Sequence, residues 1–88
     1  MAEKEIEVGR VIDYFAEVGV AAIAAETKGI RIGDVLRVVG HTTDVIFEVA
    51  SMQVDHQDVR QIEAGETVGI KVNEKVRAHD KVFKVLSP

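Results

Sequence analysis

Sixteen valines and eight isoleucines stand against two leucines in this 88-residue chain. That imbalance limits the fold more than any motif does. β-Branched side chains lose rotamer freedom in a helix and pack well on a pleated surface, so the chain favours sheet. A chain this short buries only about 60–65% of its unfolded surface and needs a dense core. With 47% hydrophobic residues, no Trp and one Tyr, aliphatics together with Phe15, Phe47 and Phe83 are expected to fill the interior. The length predicts one domain over residues 1–88, with its core over about 6–86.

Along the chain, Ile6, Val8, Ile12 and Tyr14 share one parity, which predicts a first strand over Glu5–Phe15. Arg10 intrudes on that parity, and Gly9 beside it marks a bulge or a close backbone approach. Val18–Ala25 reads two ways. Phe15, Val18, Ala22 and Ala25 fit a helical stripe, whereas Gly19 and the β-branched Val18, Val20 and Ile23 favour extended chain. Gly29–Gly40 follows: a glycine turn, a short alternating run, a Gly33-Asp34 turn and the strand Asp34–Val39. Val45–Val54 is a longer run whose parity slips near Ser51-Met52. Asp55–Glu63 is polar and suits a loop or one helical turn. After the Ala64-Gly65-Glu66 turn, Thr67–Val72 places Val68, Ile70 and Val72 inward, and Lys81–Leu86 is the last strand. Six or seven short strands bounded by turns predict an all-β barrel or sandwich. A closed barrel is preferred because closure removes exposed edges.

Chemistry is harder to find. The absence of cysteine excludes disulfides, thiol nucleophiles and Cys-based metal sites. His41, His56 and His79 are 15 and 23 residues apart and meet only if the fold brings them together. Ser51 lacks a nucleophile-elbow context. The carboxylate pairs Asp55/Asp58 and Glu63/Glu66 fall in loops, and no phosphate-loop or dinucleotide motif occurs. No catalytic, cofactor or metal site is therefore expected. No apolar run approaches the roughly 20 residues of a membrane span, so a soluble, cytoplasmic protein is expected.

The net charge of −4 argues against bulk phosphate neutralisation. Its distribution is uneven. Residues 1–70 carry 6 basic and 13 acidic groups, whereas residues 71–88 carry Lys71, Lys75, Arg77, Lys81 and Lys84 against Glu74 and Asp80. That basic stretch is the candidate contact surface. Alternating charges on the wet face of two strands would give the same count.

Taken together, the turns and strands resemble the second domain of translational GTPases, the β-barrel of elongation factor Tu and its archaeal-eukaryotic counterpart. The resemblance is carried by Gly9-Arg10-Val11, Gly29–Leu36, Val49-Ala50-Ser51-Met52, Ala64–Val72 and Asp80-Lys81-Val82-Phe83. It implies a small closed antiparallel barrel of Greek-key type with six to seven strands, and Val18–Ala25 as a strand. Gly29, Gly33, Asp34, Gly65 and Gly69 are then structural turn positions. The family's catalytic machinery lies in a GTPase domain, so the resemblance implies a non-catalytic module with no GTP binding and no cofactor. Its partners would be tRNA, rRNA or a translation protein. A related barrel also looks to be appended to a collagenase-like peptidase family, some members of which modify RNA. The alternative function is accordingly an interaction subunit docking on a separately encoded enzyme of peptidase-like or RNA-modifying type.

Overall fold

The computed structural model describes residues 4–87; the ends of the expected 1–88 domain lie outside it. Ten strands follow one another: β1 (Lys4–Phe15), β2 (Val20–Ala25), β3 (Ile30–Arg31), β4 (Val35–Val39), β5 (Asp44–Glu48), β6 (Met52–Val54), β7 (Gln57–Asp58), β8 (Gln61–Ile62), β9 (Thr67–Lys71) and β10 (Lys81–Ser87). Eight form one sheet in the order β5-β4-β10-β1-β2-β9-β6-β7, and β3 and β8 make a separate two-stranded ribbon. Every pairing is antiparallel. Val18–Ala25 resolves to strand: β2 starts at Val20 after a turn at Gly19, whose φ is +67°.

The sheet holds eight strands where six to seven were expected, a two-stranded ribbon stands beside it, and among the described residues the strand pairings do not themselves close it into a barrel. Two sequence details account for the change. The Val45–Val54 run breaks after Glu48 and resumes at Met52, so one expected strand becomes two. The polar Asp55–Glu63 segment supplies β7 and β8 instead of a loop or helical turn. The break also shapes the sheet. β5 and β6 lie six neighbours apart in the order, a flat separation of about 29 Å at ~4.8 Å per strand. The link from Glu48 to Met52 spans at most about 14 Å. The sheet therefore curls upon itself.

β1 serves both sides of the curl because it carries two bulges. Its register slips between Glu7 and Gly9 against β10, and between Val11 and Asp13 against β2. Each slip reverses which parity faces inward. Val8 and Val11 are fully buried, while Ile12 is 46% exposed. The simple parity of Ile6, Val8, Ile12 and Tyr14 is thus broken and then restored, with Ile6 and Tyr14 packed against the core. At the first bulge β1 and β2 approach so closely that a Cβ on Gly9 would collide with the carbonyl oxygen of Ala24.

The interior is aliphatic. Ile23 of β2, Leu36 and Val38 of β4, Val68 and Ile70 of β9, and Val82 of β10 are each about fully buried. Phe47 joins them, but Phe15 does not: it is 48% exposed at the end of β1. Ile30 and Ile62, paired across the β3–β8 ribbon, seal one end of the core. Among the described residues no helix is long and apolar enough to cross a membrane.

Candidate functional site

Of the basic residues 71–84, Lys71 lies apart from Lys81, and Lys84 is turned toward the core. Lys81 stands opposite Arg10, Arg10 opposite Ala24, and Ala24 opposite Thr67. Lys71 is thus three strands across from Lys81 and four residues farther along, about 20 Å over the sheet. Lys75 and Arg77 are exposed on the connection between β9 and β10. Among the described residues, neither these two nor Lys71 and Lys81 form an ion pair. Lys84 shares its parity with buried Val82 and points toward the end of the core. Its ammonium donates to the Gly29 carbonyl at 2.9 Å and pairs with Asp34 at 3.1 Å. With its side chain 17% exposed, Lys84 ties β10 to the β3–β4 turn and presents little charge to a partner.

Gly33, Asp34 and Gly65 belong to turns of one design, which occurs three times. In Arg31–Asp34, Glu63–Glu66 and Arg77–Asp80 the fourth residue's carboxylate accepts the first residue's N–H, at 2.9, 2.6 and 2.9 Å. The fourth N–H in turn donates to the first carbonyl, at 3.1, 3.2 and 3.2 Å. The third position has φ of +94° at Gly33, +96° at Gly65 and +77° at His79. Two copies use glycine where the geometry asks for it, and the third uses histidine. The carboxylates Asp34, Glu66 and Asp80 are therefore occupied in holding turns. Asp58, of the Asp55/Asp58 pair, accepts from Gln53 Nε2 at 3.0 Å. Among the described residues no group of three or more His, Asp or Glu side chains is placed to hold a metal ion.

On the outer face of β1, β4 and β5, Arg37 donates to both oxygens of Asp44 at 2.9 Å and to Glu5 at 3.2 Å. The hydrogen bond to Asp44, ahead of that to Glu5, holds the guanidinium proton more firmly than usual. The same bond keeps the Asp44 carboxyl below the ordinary carboxylate range. This network joins three strands and matches the Arg37 charge.

A concavity lies elsewhere, on the outer face of β2, β9 and β6. β2 reads Val-Ala-Ala-Ile-Ala-Ala, so its outward positions are small or medium-sized. Outward Ala22 stands opposite Gly69 of β9, and Gly69 opposite Gln53 of β6. The small Ala22 and Gly69 leave a recess between two turns, one after β1 and one between β6 and β7. The recess is a groove of about 1140 Å³ lined by Phe15, Val18, Val20, Ala22, Val54 and Gly69 among others. Val18 is 59% exposed there. Gly69, expected as a turn residue, is instead a strand residue in the groove floor.

The two turns rim the groove with Glu17 on one side and Asp55 and His56 on the other; among the described residues no Lys or Arg lines it. Asp55 and His56 form the two-residue loop of the β6–β7 hairpin, with φ of +52° and +65°. Such a loop favours Asn-Gly or Asp-Gly, so His56 holds a conformation that L side chains disfavour. Neither Phe15 nor Val18 stands out in the sequence as a surface residue. The one local signal is Ala16-Glu17-Val18, which places apolar side chains in a turn where polar ones are usual.

No family model matches the chain. It is 41% identical over 81 residues to an uncharacterized protease of Methanocaldococcus jannaschii, covering 91% of this chain and 20% of that protein. It is 37% identical over 82 residues to a collagenase of Porphyromonas gingivalis, covering 92% of this chain and again 20% of the relative. The chain thus spans about a fifth of the length of the curated relatives it matches. In fold it is similar to the C-terminal domain of a Geobacillus thermoleovorans protein described as a U32 peptidase. That match has a TM-score of 0.81 at 17% identity and covers 89% of this chain and 90% of the other. These findings overturn the resemblance to translational GTPases, together with the translation and RNA-binding roles it implied. The residues that suggested it are mostly turn and core positions, which specify a sheet and its corners and do not by themselves fix a function.

Proposed function

We propose that this chain is a non-catalytic β-domain that serves a peptidase of the protease and collagenase kind by docking on its catalytic part. The observation that carries this reading is the match of almost the whole chain, at 41% identity, to a fifth of a curated protease. The remaining four-fifths of such a relative has room for the catalytic machinery. The likeness to a C-terminal domain solved separately from its peptidase supports the same division. The side chains support it too: the carboxylates at the three repeated turns bind backbone N–H groups, and Arg37 and Lys84 close structural networks.

We further read the curled sheet as a barrel whose gap is bridged by the β3–β8 ribbon. Supporting this are the Ile32 N–H donating to the Arg60 carbonyl at 3.0 Å and the Val49 N–H donating to the Asp34 carbonyl at 2.8 Å. In that reading the docking surface is a wall of the barrel and not a strand edge. Incubating the chain alone with collagen tests the non-catalytic part. Peptide release equal to buffer is expected, and hydrolysis by the purified chain would contradict it.

A further inference from the structure

We infer that the groove beside the β1–β2 turn receives an apolar segment of the catalytic polypeptide that is bracketed by Lys or Arg side chains. The inference rests on the accessory reading above and adds the chemistry of the contact. Size comes first: at about 1140 Å³ the groove exceeds the ~300–1000 Å³ of clefts that hold small ligands. It therefore has room for several side chains of a peptide. Its floor is apolar, from Val20, Ala22, Val54 and Gly69, and its walls are the exposed Phe15 and Val18. Exposed aromatic and aliphatic side chains converging on one recess mark an interaction site more than scattered ones do.

Charge then selects the occupant. Glu17 and Asp55 stand on opposite rims with no cationic lining residue to match them. An apolar segment with a basic side chain at each end would satisfy both carboxylates while filling the floor. A segment with acidic flanks would meet two like charges. The floor runs on along β9, where Thr67 and Val68 also line the groove, so an extended occupant has room to lie across it. The Asp55-His56 loop is held at positive φ where a glycine would relieve it. Side chains kept in such conformations concentrate at binding sites.

The test uses three measurements on the full chain. Backbone amide shifts are followed during titration with the peptide Lys-Leu-Phe-Leu-Lys, its ends blocked, and with Glu-Leu-Phe-Leu-Glu as control. Binding of the basic peptide with shifts confined to the groove, and weaker binding of the acidic one, is expected. Removing both rim charges with Glu17→Gln and Asp55→Asn should weaken the basic peptide about fivefold. Asn tolerates the left-handed conformation of Asp55, so this variant keeps the loop. Val18→Ser, at an exposed position, should weaken both peptides without lowering stability. Equal affinity for the two peptides, or none for either, overturns the inference and leaves the accessory reading standing. Concentration-dependent self-association that Val18→Ser abolishes would assign the groove to a second copy and also overturn it. Should the basic peptide bind while the matching segment proves dispensable in the collagenase, the catalytic polypeptide is not the occupant and the accessory reading falls.

Discussion

His79 and Asp44 show how single residues here trade fit against charge. His79 occupies the third position of a turn whose two other copies carry glycine, with φ of +77°. A non-glycine residue in this region costs about 1–2 kcal/mol, part of which glycine returns through a more mobile unfolded chain. His79→Gly is therefore expected to stabilise by about 0.5–1 kcal/mol, read as a higher urea midpoint at unchanged slope. A lower midpoint would mean that the imidazole contributes packing that outweighs the strain. Asp44 makes the complementary case. Its carboxyl is held low by Arg37, so its stabilising contribution is fully present above the ordinary value of an unfolded-chain aspartate. That contribution is lost as pH falls through the depressed folded value. Asp44→Asn should unfold more readily than the parent near neutrality, and the two melting curves should converge in strong acid. A gap that persists there would show that the pair acts through shape and not through charge.

At the scale of strands, the distinction among the lysines becomes measurable. Lys84 anchors β10 to the β3–β4 turn from a nearly buried position, whereas Lys81 lies on the wet face of the same strand. Lys84→Ala leaves the partly buried Asp34 without its cation and should cost about 1–3 kcal/mol. Lys81→Ala should stay within about 0.5 kcal/mol. Comparable losses for the two would remove the structural role assigned to Lys84. Strand identity was legible because alternation survives in β4, β5 and β9, where Leu36, Val38, Val45, Phe47, Val68 and Ile70 face the core. It failed in β1, where two bulges exchange the roles of Val11 and Ile12. Parity carries no mark of a bulge beyond a glycine, and the second bulge, at Ile12, has none.

Across the whole molecule, the all-β class followed from the Val and Ile excess, while the strand order did not. The break at Val49-Ala50-Ser51 sends β5 to one end of the sheet and β6 to the strand next to the other end, a long-range consequence that no local pattern contains. The groove was illegible for the same reason: its lining comes from β2, β9, β6 and two turns that only the curl assembles. The basic stretch 71–84 was the more visible feature in sequence, and the fold sets Lys71 and Lys84 apart from the rest of it. What unites these levels is a division of labour, in which the carboxylates at three turns, with Arg37 and Lys84, hold the scaffold while one apolar recess stays open. The accessory role is tested most directly by kcat/KM of the Porphyromonas gingivalis collagenase on collagen in three forms: intact, with its matching segment removed, and with this chain grafted in its place. Removal is predicted to lower kcat/KM and the graft to restore it; an unchanged kcat/KM after removal would contradict the account.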